Sequence, residues 1–230
     1  MAIICCLETS SAFCSISISE NDRIVELLEE RDAYRHIEVI SVIFKGILKK
    51  SGLDVHELDA LAVSAGPGSF TGLRVGASFA KGVCFSLGIP LIGIDTLESL
   101  ALASMNSYRG KLAPVYCPMI EVRPWEVYSC AYSSTGRKII PTQIIDLRES
   151  NFLRTLSDEN FIVFSGNGLE QYKNLNGNKK KNLFTNIMNS AKHLIRPAYR
   201  EYQKRNFSDI VSFTPRYVKA PNITKSKKFV

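Results

Sequence analysis

Residues Ser64 to Gly76 read Ser-Ala-Gly-Pro-Gly-Ser-Phe-Thr-Gly-Leu-Arg-Val-Gly, and no other stretch constrains the fold as tightly. The apolar segment Leu61-Ala62-Val63 precedes them and an apolar helical pattern follows to about Leu87. This is a strand, a glycine-rich turn and a helix start, an arrangement that can aim backbone N–H groups at an anion. A P-loop would need Gly-x-x-x-x-Gly-Lys-Ser/Thr, and counting from Gly66 or Gly68 reaches no such lysine. A dinucleotide fingerprint would need two residues between its second and third glycines, and three lie between Gly68 and Gly72. Two readings stay open for Gly66, Gly68 and Ser69: an anion or nucleotide loop, or a tight connection in which Ser69 or Thr71 caps the helix.

Small residues recur every four positions along that helix, at Gly72, Gly76, Ala80 and Cys84, so one face carries little side-chain bulk. Such a stripe lets another backbone approach closely. Either a second subunit uses it or the chain's own sheet does. The first use predicts a partner interface of Gly72, Gly76, Ala80 and Cys84, joined by Ile40 and Phe44 from the preceding helix.

With 230 residues, 45% of them hydrophobic, the chain can build one large or two small cores. No apolar run is long enough to span a bilayer. Met1-Ala-Ile-Ile-Cys-Cys-Leu-Glu lacks a basic flank and turns acidic at once, unlike a signal peptide. The cysteines (5, 6, 14, 84, 117 and 130) sit mostly in apolar runs, without a Cys-x-x-Cys pair, which suits buried thiols of a cytoplasmic protein. The net charge of +7 is concentrated in Asn178-Lys-Lys-Lys-Asn182 and in the tail from Lys219 to Lys228. These runs read as solvated loops, or as weak attraction to a polyanion such as RNA.

Periodicity organises the first hundred residues. Ile3–Glu8 is a buried strand, Phe13–Ser19 alternates apolar and polar, and Ile24–Glu30 follows a turn at Glu20-Asn21-Asp22. A helix is expected from about His36 to Lys50, with Ile37, Ile40, Phe44, Ile47 and Leu48 on one face and Gly52 at its stop. Ala60–Ser64 and Leu91–Ile94 are further strands, and Asp95-Thr96 caps a helix to about Met105. Three antiparallel strands and then alternating helices and strands is the order of a ribonuclease-H-like unit. The Rossmann order opens with the βαβ itself; Asp95, ending the strand after the glycine loop, is the feature that would suit its ribose. Val115–Glu121, Val127–Ser133 and Lys138–Ile145 look like a second strand triplet, followed by a short helical candidate at Asn151–Leu156 and a strand at Phe161–Phe164. Pattern order alone suggests a second copy of the plan.

The Gly66-Pro-Gly-Ser-Phe-Thr-Gly72 block, with Ala80-Lys81-Gly82 and Ile89-Pro-Leu-Ile-Gly-Ile94, Thr96-Leu-Glu98, resembles the TsaB (YeaZ) family. Glu8-Thr9-Ser10 at the end of the first strand and Tyr34-Arg35-His36 before the first helix extend the likeness over residues 1–100. The second half departs: the family's Asp-Ala-Arg and Glu-Val-Tyr are here Glu121-Val122-Arg123 and Glu126-Val127-Tyr128, and its terminal Pro-x-Tyr-Leu-Arg is Pro215-Arg216-Tyr217-Val218-Lys219.

The resemblance implies an α/β, actin-like ATPase (ASKHA) fold of two ribonuclease-H-like lobes, at 1–105 and 106–218, with a basic tail at 219–230. It also implies a non-catalytic role in making N6-threonylcarbamoyladenosine in tRNAs that read codons beginning with A. Its implied partners are the catalytic paralogue TsaD and the ATPase TsaE, with a homodimer in isolation, tRNA reached through the complex, and no membrane. No cofactor is expected on the chain alone, and nucleotide at subunit contacts is left open. The residues agree with that role independently: the three histidines, His36, His56 and His193, are too far apart in sequence for a His-x-x-x-His metal pair. A metal-dependent glycoprotease-like enzyme and an actin-class nucleotide-binding protein are the competing readings.

Overall fold

Past Ile3, every residue of β1 (Ile3–Glu8) is buried, and the first half of the chain is built around it. It pairs antiparallel with β2 (Cys14–Glu20), which pairs antiparallel with β3 (Arg23–Glu30). On its other edge it runs parallel to β4 (Ala60–Ser64), followed by β5 (Leu91–Ile94), giving the order β3-β2-β1-β4-β5. The computed structural model describes residues 1–32, 35–149, 156, 161–176 and 181–218.

Strand alternation divides β1 between two cores. Cys5 and Leu7 face α1 (His36–Ser51) and α2 (Phe70–Leu87). Both helices stop at glycines in the left-handed region, Gly52 and Gly88. Asp95 caps α3 (Thr96–Ser107), accepting from the Glu98 N–H at 3.0 Å. Leu97, Leu100 and Ala101 of α3 pack on Tyr116, Ile120 and Tyr128 of a second sheet, which joins the two halves.

The second sheet repeats the first in plan. β6 (Val115–Arg123), β7 (Glu126–Tyr132) and β8 (Lys138–Asp146) are antiparallel, and β9 (Ile162–Ser165) and β10 (Asn182–Phe184) extend β6 in parallel. The order is β10-β9-β6-β7-β8. α4 (Leu169–Asn176) covers its far face through Leu169 and Tyr172, against Cys117, Met119 and Phe164. The chain then returns to the first sheet, where α5 (Ile195–Gln203) lays Ile195 and Ala198 over Ile4, Cys6, Ala60 and Ala62.

One expectation changes and one element is added. Ile37 is 72% exposed; the buried stripe of α1 is His36, Val39, Ile40, Phe44 and Ile47, and Ile37 is turned away from it. α5 was not anticipated, because Arg196-Pro197 and alternating charges hide its apolar face. Leu156 is described and buried, but the rest of the Asn151–Leu156 helix candidate and the 219–230 tail lie outside the described residues. All six cysteines are free and buried.

Candidate functional site

The glycine loop begins where β4 ends. Ala65 N–H donates to Ile94 O (2.7 Å), and Gly66, at φ +94°, accepts from Thr96 N–H (3.0 Å), so the loop is tied to the start of α3. Ser69 caps α2, its Oγ accepting from Gly72 N–H at 3.2 Å. Ser69 N–H donates to Ser10 O at 2.7 Å. A Cβ at Gly68 would collide with Ser10 O, one at Gly72 with Thr9 O, and one at Gly76 with Thr9 Oγ1. The Thr9–Ser10 turn therefore lies directly on the first turns of α2.

Of the N–H groups at this helix start, that of Ser69 is taken by Ser10 O and that of Gly72 by the Ser69 side chain. The N-terminal end of a helix favours negative partial charge. Here the Ser10 carbonyl accepts from Ser69 N–H and the Thr9 carbonyl packs against Gly72, so the loop seats the turn that ends β1. Burial of the small stripe corrects the interface assignment. Gly72, Gly76, Ala80 and Cys84 are buried within this chain, as are Ile40 and Phe44, so none of the six is displayed to a partner. The stripe is small because β1 and its turn approach α2 closely. What α1 and α2 do display is Ile37, Val42 and Phe85, at 72%, 66% and 79% exposure.

A segment after α5 closes over the loop. Ser208 bridges to Leu91, Phe213 lies against Gly93, and Arg216 N–H donates to Ala65 O at 2.7 Å. Lys81 Nζ holds the segment through Val211 O (2.9 Å) and Phe213 O (3.3 Å). Tyr217 packs on Phe70 with ring centroids 4.7 Å apart, and Arg74 lies 4.1 Å over the Phe70 ring. Arg216 also reaches the Asp95 carboxylate (3.2 Å), which Lys138 of β8 approaches from the other sheet at 3.5 Å. Asp95 thus joins both halves and the terminal arm. The acid at this position stood out in the sequence; Lys138 and Arg216 carried no signal, because their meeting depends on tertiary placement.

The remaining chemistry-bearing groups are held inside. Burial raises the Glu8 carboxyl above its ordinary value, while Ser10 N–H donates to its Oε1 at 2.6 Å. His36 Nε2 donates to Phe13 O at 3.1 Å. Burial, with Lys192 beside it, lowers the His193 imidazole to about 4. Burial raises the thiol of Cys117 to about 12, which keeps it protonated and poorly nucleophilic. Among the described residues, no three of His, Cys, Asp and Glu come together in a metal-binding arrangement. Arg123 pairs with Glu126, and Glu121 accepts from Gln171 Nε2 at 2.9 Å, so that charged group forms a surface turn.

A family model described as TsaD, tRNA N6-adenosine threonylcarbamoyltransferase, matches residues 30–227. The chain belongs to the TsaD family. Within that family its curated relatives include "tRNA threonylcarbamoyladenosine biosynthesis protein TsaB" of Haemophilus influenzae, 37% identical over 125 residues (53% of this chain, 50% of that protein). TsaB of Escherichia coli is 33% identical over 129 residues (56% of this chain, 54% of that protein). A tRNA N6-adenosine threonylcarbamoyltransferase of Clostridium botulinum is 31% identical over 113 residues, covering 49% of this chain and 33% of that protein. The chain spans about half the length of the TsaB relatives just described. The resemblance to TsaB read from the glycine block is thereby shown.

Solved structures agree on the fold. YeaZ from Pseudomonas aeruginosa superimposes with a TM-score of 0.76 at 22% identity, covering 94% of this chain and all (100%) of that one. A second Pseudomonas aeruginosa protein, described as similar to peptidase YEAZ, gives 0.78 at 21% identity, covering 95% and 100%. Component A of the Acidaminococcus fermentans (R)-2-hydroxyglutaryl-CoA dehydratase reaches 0.50 at 8% identity, covering 90% and 100%. The TsaD-family chain accordingly has the α/β, actin-like architecture of two ribonuclease-H-like sheets. Among its described residues no helix is long and apolar enough to cross a membrane.

Proposed function

We propose that this chain is the non-catalytic, TsaB-type partner of a TsaD-type transferase in forming N6-threonylcarbamoyladenosine on tRNA. The observation that carries the reading is the match to TsaB relatives over 125 and 129 residues, 53% and 56% of the chain. The loop supports it physically, since its backbone holds the turn that ends β1. In this reading the chain acts in the cytoplasm, with TsaE as a third component and with nucleotide, where present, at subunit contacts. It divides into lobes at residues 1–105 and 106–218.

The partner surface we assign is the outer side of α1 and α2. Ile37, Val42 and Phe85 are exposed there, while the small stripe beneath fixes how the two helices lie. A second copy of this chain competes for the same side when TsaD is absent. The test is reconstitution: unmodified tRNA, TsaD, TsaE, threonylcarbamoyl-adenylate and ATP, with and without this chain. Modification that requires the chain, and a chain inactive without TsaD, is the expected result. Transfer by the chain alone, or full transfer without it, defeats the reading.

A further inference from the structure

On the first sheet, the face opposite α1 and α2 carries an unassigned array of cations. Lys192, Arg196, Arg200 and Lys204 recur every four residues, on the turn before α5 and along its exposed side. Residues at that spacing lie about 5–6 Å apart on one helical stripe. Arg200 is committed to Glu98 and Glu201, both at 2.8 Å, and Lys204 is 3.8 Å from Glu201. Arg196 donates to the neutral Asn106 at 2.9 Å. That bond sets it beside the end of α3, where Arg109 and Lys111 follow and are exposed. Among the described residues, Arg196, Arg205, Arg109 and Lys111 form no direct ion pair, and Lys192 has only the Glu29 carboxylate in its electrostatic neighbourhood. The stripe ends at a surface cavity of about 450 Å³, whose lining includes Tyr199, Tyr202, Phe207 and Arg205, with Asp59 as its one carboxylate, accepting from Ile3 N–H at 2.7 Å.

We propose that this face binds RNA, its cations tracking the phosphate backbone and its aromatic cavity taking an unpaired base. A linear array of Lys and Arg meets a phosphate chain by counterion release and needs no deep pocket. Tyr and Phe rings beside such an array are the usual platform for a splayed-out base. A membrane surface fits poorly, because an interfacial helix needs its apolar side outward and α5 has buried Ile195 and Ala198 in the core. A protein partner fits poorly too, since its interface would want apolar anchors at the centre and the exposed stripe is charged. The inference deepens the proposed function by putting this subunit in direct contact with tRNA. It leaves the α1–α2 side free for a protein partner.

The experiment is fluorescence anisotropy of the whole chain alone with an unmodified tRNA transcript, at several salt concentrations. The comparison variants are the triple change Lys192→Gln, Arg196→Gln, Lys204→Gln and, on the other side, Lys45→Gln, Lys49→Gln, Lys50→Gln. Both remove three charges, and circular dichroism confirms that both fold. The α5 variant should bind about a hundredfold more weakly at 0.1 M salt, with a salt slope shallower by about two to three. The α1 variant should stay within about threefold of wild type. Duplex RNA of equal length should bind more weakly than tRNA, and anionic phosphatidylglycerol vesicles should not bind. Absence of tRNA binding, equal losses in the two variants, equal binding of duplex, or vesicle binding lost with the same α5 cations would each overturn the proposal. The assay contains no TsaD, so its failure is distinct from a failure of the reconstitution.

Discussion

Two loops in equivalent places, one in each sheet, handle the same geometric problem differently. Gly66-Pro67-Gly68 follows β4, and Gly166-Asn167-Gly168 follows β9. Gly66 and Gly166 both have positive φ, +94° and +101°, and each loop clasps the leading strand of its own sheet or the turn that ends it. In the first, Ser69 N–H donates to Ser10 O at 2.7 Å; in the second, Gly168 N–H donates to Met119 O at 3.2 Å. The difference begins one residue later. Ser69 caps an 18-residue helix whose Gly72 and Gly76 continue the clasp, whereas Leu169 opens an 8-residue helix as a buried apolar contact. The Gly-x-Gly element is thus a requirement of the strand-to-helix turn in both sheets. Ser69 through Gly76 is the specific part, and it serves the close approach of β1's turn to α2.

The largest effect that would test this contrast is expected from Gly72→Leu. Its side chain must displace the Thr9 carbonyl, which is backbone and cannot swing aside. A loss at the upper end for overpacking, about 3 kcal/mol, is expected, or roughly 6–12 °C in thermal unfolding. A variant as stable as wild type would mean that the clasp is looser than described. A paired substitution is sharper: Gly68→Ala should cost about 2 kcal/mol and Gly168→Ala about 1. Gly68 faces the Ser10 backbone, while a Cβ at Gly168 first meets the movable Val127 Cγ1 at 2.7 Å. Equal losses in denaturant titration would erase the distinction between the two loops.

Most of the first sheet was legible because its strands and helices announce themselves by period and its turns by Gly, Asn and Asp. The small stripe at Gly72, Gly76, Ala80 and Cys84 was equally visible, but a sequence cannot say which backbone approaches it. That is why an internal contact read as an external one. The equivalence of Gly66 with Gly166 escaped for a related reason: the surrounding residues differ, and only the parallel pairing of β9 with β6 puts the second loop in register with the first. The arm that places Arg216 on Asp95 is a long-range contact with no periodic signal. α5 was missed because its buried side is made of Ile195, Ala198 and half-buried tyrosines, which leave a weak apolar pattern.

A smaller effect is expected from Ser69→Ala, which removes the cap of α2 while keeping the glycine contacts. The cost should be about 1 kcal/mol, typical of a lost N-cap, read as a fall of roughly 2–4 °C. If the fall instead matches that of Gly72→Leu, the serine holds the β1 turn by more than its cap, and the division of labour between Ser69 and the glycines fails.

The smallest expected effect belongs to Asp95, which marks a second difference between the loops. Gly66 has the terminal arm across it, with Arg216 O against its Cα, whereas Gly166 is closed by Met119 O and by its own N–H to Ile187 O at 2.8 Å. Asp95→Asn keeps an α3 cap, because Asn caps as well as Asp, and removes the ion pairs to Arg216 and Lys138. The Arg216 side chain is 64% exposed and that of Lys138 35%, so solvent already weakens both pairs. The loss should be about 0.5 kcal/mol, shrinking further in high salt. The local consequence should be larger than the global one. The Arg216 amide, bonded to Ala65 O, should exchange its hydrogen faster in the variant, while the Gly166 amide keeps its wild-type rate. Slow exchange retained at Arg216 would mean that Phe213, Tyr217 and the backbone bonds hold the arm without the charge. Faster exchange at both amides would mean that Asp95 supports the whole junction between the sheets, and the contrast between an arm-covered loop and a self-closed one would fall.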